Sequence, residues 1–199
     1  VLEEEYQPRR RLPRHLRPAI AQEAAFTYAI RAAEPTDLPD IREIHGHYVR
    51  NSSVTFDASA FSFAAWKQRY DDVRRRGLPF LVAENPSGQV LGYAVVTPWN
   101  ARDRSNRTVE DSIYLGPASG GKGLGRALLS ALLDECRAVG VREVVAVIAD
   151  RSAEASIRLH ASLGFVETGR MARVGYKYER WLGTVTMQLR LRSGRRPRR

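Results

Sequence analysis

The run Val109-Glu110-Asp111-Ser112-Ile113-Tyr114-Leu115, followed after Gly116, Pro117 and Ala118 by Ser119-Gly120-Gly121-Lys122-Gly123-Leu124-Gly125-Arg126, decides the fold. Its first part is a strand-like segment that ends directly at a loop crowded with glycines. The loop in turn opens a helix: Leu124, Leu128, Leu132 and Cys136 fall on one face, Leu129 and Leu133 reinforce it, and Gly140 supplies a stop signal. Residues 144–148 are then consecutive apolar positions rich in branched side chains, the pattern of a strand covered on both faces. The unit is a strand, a glycine-rich loop, a helix and a central strand.

Working outward, residues 28–33 read as a first strand running into Pro35, Thr36 and Asp37, with Thr36 as the N-cap of a helix carrying Leu38, Ile41, Ile44 and Tyr48. A second helix follows from Phe63, Trp66, Tyr70 and Val73 and stops at Gly77 and Pro79. Residues 80–84 and 90–97 are strands joined by the turn Asn85-Pro86-Ser87-Gly88, an antiparallel hairpin. Beyond the central strand come a short helix at about 153–163, a strand at 165–169 and a closing strand at 184–191, where Val185, Met187, Leu189 and Leu191 alternate with polar residues. The fold class expected is α+β: a twisted, mostly antiparallel sheet with a central parallel β-loop-α-β unit and helices on both faces.

The chain has 199 residues and 43% apolar content, enough for one core, and a formal charge of +10. That charge sits at the ends. Five Arg and three Glu lie in residues 1–20 and five Arg in 191–199, so the body is only +3. The division expected is a basic extension at 1–26, a folded domain at 27–192 and a basic tail at 193–199. Neither basic run carries the aromatic residues that stack on bases, so nucleic acid is not expected as a partner. No stretch approaches a membrane span, and Glu3, Glu4 and Glu5 interrupt any signal-peptide core. With Cys136 as the lone cysteine, a cytoplasmic protein is expected. The first residue is Val1, so the natural start is expected upstream.

The glycine-rich loop is where chemistry enters. Backbone N–H groups there can converge on one anion at the positive end of a helix, with Lys122 and Arg126 adding charge. Gly125 is followed by Arg126 and Ala127, not the Lys-Ser/Thr of a Walker loop, and the dinucleotide spacing fails as well. On glycine content alone, a tight turn serving geometry only stays equally open.

Gly123-Leu124-Gly125 at this junction resembles the Gln/Arg-x-x-Gly-x-Gly/Ala signature of the GNAT acetyltransferase superfamily, whose loop holds the pyrophosphate of coenzyme A. The stretch from Ser156 through His160 to Gly164-Phe165 resembles the later family motif. Within the superfamily the phosphinothricin acetyltransferase group is most similar. The matching stretches are His47-Tyr48, Ser53-Val54-Thr55-Phe56, Pro98-Trp99-Asn100-Ala101-Arg102, Thr108-Val109-Glu110, residues 144–148, and Gly175-Tyr176-Lys177 with Trp181. The resemblance covers roughly residues 28–191.

It implies a GNAT-like sheet and direct transfer of acetyl from acetyl-CoA to the amine of a small amino-acid-like acceptor, such as phosphinothricin, methionine sulfoximine or methionine sulfone. Glu110 is the expected base and His160 the expected acid or orienting group. Ile113, Tyr114 and Leu115 are expected along the pantetheine arm, and Gly120, Gly121, Lys122, Gly123, Leu124, Gly125 and Arg126 around the pyrophosphate. Arg102 is expected at the acceptor's acid group, no metal is expected, and a homodimer is. Gly120 stands where the signature has Gln or Arg, Ala153 where many relatives have Asn, with Ser152 beside it, and Gly183 where an acid is common. Other acceptors, a protein N-terminus or an aminoglycoside, and a domain that only binds coenzyme A or nucleic acid, are the alternatives.

Overall fold

The computed structural model describes residues 26–100, 102 and 105–191. The basic runs at 9–11 and 195–199, and most of the proposed N-terminal extension and tail, lie outside them.

The described residues form a seven-stranded sheet in the order β1-β2-β3-β4-β5-β7-β6, with helices packed against it. The strands are β1 (Ala29–Ala32), β2 (Phe80–Glu84), β3 (Val90–Pro98), β4 (Thr108–Leu115), β5 (Glu143–Ala149), β6 (Val166–Lys177) and β7 (Arg180–Arg190). The helices are α1 (Leu38–Asn51), α2 (Phe63–Arg75), α3 (Leu124–Ala138) and α4 (Glu154–Ser162). Every strand pair is antiparallel except β4 with β5.

The start of α1 differs from the expectation. Thr36 sits inside a short 3-10 turn, Pro35–Asp37, and the cap is made by Glu34 and Asp37. The Asp37 carboxylate accepts from the Glu34 amide at 2.7 Å and also takes both terminal nitrogens of Arg31 at 2.7 and 2.8 Å, while Arg31 reaches Glu84 as well. The longer carboxylate serves the turn and an ion network together, which the Thr36 hydroxyl cannot do. On α2, Ser62 is the cap, its Oγ accepting from the Ala65 amide at 3.1 Å.

Helix α3 buries Leu124, Leu128, Leu129, Leu132, Leu133 and Cys136 against the sheet, the stripe its spacing predicts. Each fully buried leucine stabilises the fold by about 2 kcal/mol. The helix ends with Val141 N–H donating to the Cys136 carbonyl at 3.0 Å around Gly140.

The final hairpin is longer than the sequence suggests. β6 runs on to Lys177 instead of stopping near Gly169, and β7 begins at Arg180, not Thr184. β6 is an edge strand exposed over nearly its whole length, so it shows no apolar alternation, and it carries two register shifts. Its turn is Tyr178-Glu179, both with positive φ, without the Asn-Gly pair that marks such turns. At the tip, Lys177 Nζ donates to the Thr55 carbonyl at 3.0 Å and the Tyr178 hydroxyl to the Val49 carbonyl at 3.1 Å, tying the hairpin to the segment after α1. Gly183 is also explained: its amide donates to Asp150 Oδ1 at 3.0 Å, and a Cβ there would run into the Met171 carbonyl and come within 2.6 Å of Asp150 Oδ2.

β4 and β5 pair over only Thr108↔Glu143, Val109↔Val144 and Glu110↔Val145. Past Glu110, β4 stays on β3 up to Leu115 and β5 stays on β7 up to Ala149, so the two middle strands part and open a wedge in the sheet.

Candidate active site

Alternation along β4 sends its side chains to opposite faces. Tyr114 packs at 5.4 Å from the His45 ring and 5.3 Å from the Tyr48 ring, both of α1, so Glu110, Ser112 and Tyr114 face α1 and α2. Asp111 meets His160 of α4 on the other face. Because the strands have parted, a cavity of about 510 Å³ reaches both faces, and Glu110, Ser112, Ile113, Tyr114, Ala146 and His160 are among the residues lining it.

Glu110 is half-buried beside the last paired residue of the wedge. Burial pushes its carboxyl above the usual range, the neighbouring Asp111 charge adds to this, and the Arg69 charge opposes it. A raised carboxylate is a better proton acceptor than an ordinary one, which is what an ammonium-bearing acceptor needs.

His160 is 2% exposed. Its Nε2 is 3.1 Å from Asp111 Oδ2 and its Nδ1 2.8 Å from the Ser156 carbonyl, and its ring stands edge-on to Phe165. The carbonyl can only accept, so Nδ1 donates to it, and the carboxylate beside Nε2 favours a proton there as well. Burial pulls its pKa down, but the Asp111 hydrogen bond and charge and the Ser156 carbonyl together leave it raised. Asp111 Oδ1 is buried without a hydrogen-bond partner among the described residues.

At the mouth of the wedge, Gly121 and Gly123 have φ of +74 and +80, a conformation that favours glycine. Gly123 is the N-cap of α3 and makes no side-chain cap. The first helical bond is Ala127 N–H to the Gly123 carbonyl at 3.2 Å, so the amides of Leu124, Gly125 and Arg126 lie ahead of it, free to face an anion. Leu124 is fully buried, so only its backbone is available. Gly120 differs from its neighbours: its φ is −69 and a Cβ would meet nothing within 4 Å, so the fold does not require glycine there. Lys122 Nζ sits 4.6 Å over the Phe26 ring, and Arg126 donates to Ser162 Oγ at 2.6 Å, bracing α3 against α4. The loop thus offers its amides to an anion just past the end of β4, while Ile113 and Tyr114, and no residue from Gly120 to Arg126, line the cavity itself. The Leu115 carbonyl already accepts from the Tyr48 hydroxyl at 2.7 Å. Ser152, at φ +59, and Ala153 line the cavity from the β5 side.

Arg102 is exposed, its amide donating to Asn100 Oδ1 at 3.0 Å, and it does not line the cavity. The arginine that does is Arg69 of α2, with Trp66, Tyr93, His45 and Asp57. Nothing in the sequence singles these out, because Trp66 reads as core and Arg69 as the solvated face of an amphipathic helix. Cys136 is buried and its thiol is pushed up to about 12 by burial first and by Asp111 next, so it reads as core and not as a nucleophile. Among the described residues no group of three or more His, Cys, Asp or Glu is placed to hold a metal.

Residues 39–165 match the model of the acetyltransferase (GNAT) family. The chain is 43% identical over 165 residues to an L-methionine sulfoximine/L-methionine sulfone acetyltransferase of Salmonella typhimurium, covering 81% of this chain and 94% of that one. It is 38% identical over 165 residues to the phosphinothricin N-acetyltransferase of Alcaligenes faecalis, covering 83% of each. Its fold superposes with a TM-score of 0.79 on a crystal structure of a GNAT superfamily phosphinothricin acetyltransferase from Sinorhizobium meliloti in complex with acetyl-CoA, at 40% identity and covering 85% of this chain and 91% of that one.

Proposed function

The chain belongs to the acetyltransferase (GNAT) family, and from that premise we propose that it acetylates the amino group of a small amino-acid-like acceptor of the phosphinothricin, methionine sulfoximine or methionine sulfone type. It is an acetyl-CoA-dependent N-acetyltransferase. The observation that carries the assignment is the wedge between β4 and β5, with the glycine loop at its mouth and Glu110 at its apex.

Acetyl-CoA supplies an activated acetyl thioester. The amides from Gly121 to Arg126 are assigned to the pyrophosphate, and the backbone of Ile113 and Tyr114 to the pantetheine arm, an edge-strand type of recognition. Glu110 is assigned to remove the acceptor's ammonium proton, directly or through water. His160 can release a proton from either nitrogen only by breaking a hydrogen bond, so its first role is to hold a positive charge at that end of the cavity, where a departing thiolate gains from it.

A panel assay tests the function: acetyl-CoA with methionine sulfone, methionine sulfoximine, phosphinothricin, an aminoglycoside and a peptide N-terminus. Turnover of the first three and not the last two is expected, and the reverse order overturns the acceptor class.

We also infer a homodimer, working in the cytoplasm, where acetyl-CoA is supplied. The edge strand β6 and its hairpin partner expose Val166, Met171, Val174, Tyr176 and Trp181, an apolar surface of the kind that pairs. Light scattering at twice the chain mass is the expected result.

A further inference from the structure

The cavity has a polar wall to which none of these roles is assigned. Trp66 and Arg69 are three residues apart on α2 and share a helix face. The Arg69 guanidinium carbon is 5.8 Å from the Trp66 ring centre, and Tyr93 of β3 meets that ring edge-on at 5.6 Å. All three residues line the cavity. Trp66 Nε1, Arg69 Nε and the Tyr93 hydroxyl are buried, and none has a hydrogen-bond partner among the described residues.

A buried donor left without an acceptor is unfavourable, so three of them on residues lining one cavity call for an acceptor from outside. Asp57 makes no hydrogen bond to any of them: its Oδ2 is engaged by His45 Nε2 at 3.1 Å and by the Thr55 hydroxyl at 2.8 Å. The Arg69 charge acts on Asp57, Tyr93, Glu110 and Tyr114 alike, which puts it centrally among the cavity's ionisable groups. Burial keeps the Tyr93 phenol protonated, so it can donate.

We propose that Arg69, Trp66 and Tyr93 form the subsite for the acceptor's carboxylate, holding it so that the amine faces Glu110. The inference rests on the amino-acid-like acceptor proposed above and gives that acceptor its recognising residues. A cluster of three donors, one of them a charged fork, suits a group with a negative charge and several lone pairs, and its positive charge repels the ammonium groups of a polyamine.

The test compares L-methionine sulfone with its carboxamide as acceptors for the wild type, Arg69→Met, Arg69→Lys and Tyr93→Phe, with acetyl-CoA affinity measured by calorimetry to certify the fold. The wild type is expected to prefer the acid. Arg69→Met raises KM for the acid roughly tenfold or more while KM for the amide changes less than about twofold, so the preference collapses. Arg69→Lys restores part of it, and the isosteric Tyr93→Phe lowers it in the same direction. Should Arg69→Met fail to fold, the lysine and phenylalanine variants decide. Equal effects on acid and amide, or none, with an active wild type overturn the subsite and leave the acceptor class standing. A wild type that acetylates neither compound overturns the acceptor class, and the subsite with it.

Discussion

His160 and Asp111 face each other across the α4–β4 boundary with Nε2 and Oδ2 3.1 Å apart, and both side chains are almost wholly buried. A charged pair in such a place is expensive to desolvate and is kept by its hydrogen bonds. The raised His160 pKa is therefore a property of the pair and is lost when Asp111 is replaced by a neutral side chain.

In Asp111→Asn, the His160 pKa is expected to fall below that of the wild type, because the carboxylate that raises it is gone while burial still lowers it. The sign for stability follows. A folded-state value above the unfolded one of about 6.5 gives stability that is full below that pH and is lost as pH rises through the folded value. Nitrogen-15 shifts of the His160 ring against pH, with urea unfolding at several pH values, measure both. A His160 titration unchanged in the variant contradicts the pairing.

Glu110→Gln is expected to lower kcat/KM by about 10²–10⁴, the usual worth of general base catalysis, without changing acetyl-CoA affinity. The wild-type acidic limb should lie above the ordinary glutamate value, since burial and Asp111 raise this carboxyl. A raised folded-state value makes ionised Glu110 a burden on the fold at neutral pH, so the glutamine variant should melt no lower than the wild type at pH 7 and slightly higher. Wild-type turnover in the variant would remove the base assignment.

Gly120 and Gly123 should respond in opposite ways. Gly120→Gln has room for its side chain and restores the polar residue of the family signature, so acetyl-CoA should bind more tightly. Gly123→Ala places a Cβ at φ +80, a strain of about 1–2 kcal/mol at the loop that frames the free amides, and should weaken binding. Calorimetric titration with acetyl-CoA separates the two. Loss of binding in Gly120→Gln would show that the open side of the loop is needed by the cofactor itself.

Cys136→Ala should keep its activity while losing about 1–2 kcal/mol of stability from the small void left under α3. Denaturant melts and initial rates check this. A folded but inactive variant would revive an acyl-cysteine route.

The β4-loop-α3-β5 unit was legible because each part has a local signature: four glycines, a leucine stripe and an unbroken branched run. The positions of Glu110 and of the loop followed from it, since both lie at fixed places along those elements; their roles remain proposals. Arg69 and Tyr93 did not, because a cavity wall is assembled from residues far apart in the chain, and each alone satisfies an ordinary pattern. Arg102 lies exposed in an irregular loop and outside the cavity lining, because a matched loop position carries the residue type but not the direction of the side chain. β6 was cut short because an exposed edge strand has no apolar rhythm to follow.

Glu110 is the final residue at which the two middle strands are still joined, and the consequence is mechanical. When a hinged wedge opens or closes, displacement grows with distance from the pivot. Leu115 and Ala149 are each paired on one side only, to Gly92 and Thr184, so the gap between them is the least braced part of the wedge, while Glu110 is held on both sides by Thr97 and Val145. The carboxylate proposed as the proton acceptor is thus mounted where the sheet is held on both sides, and its alignment is set by the strands themselves.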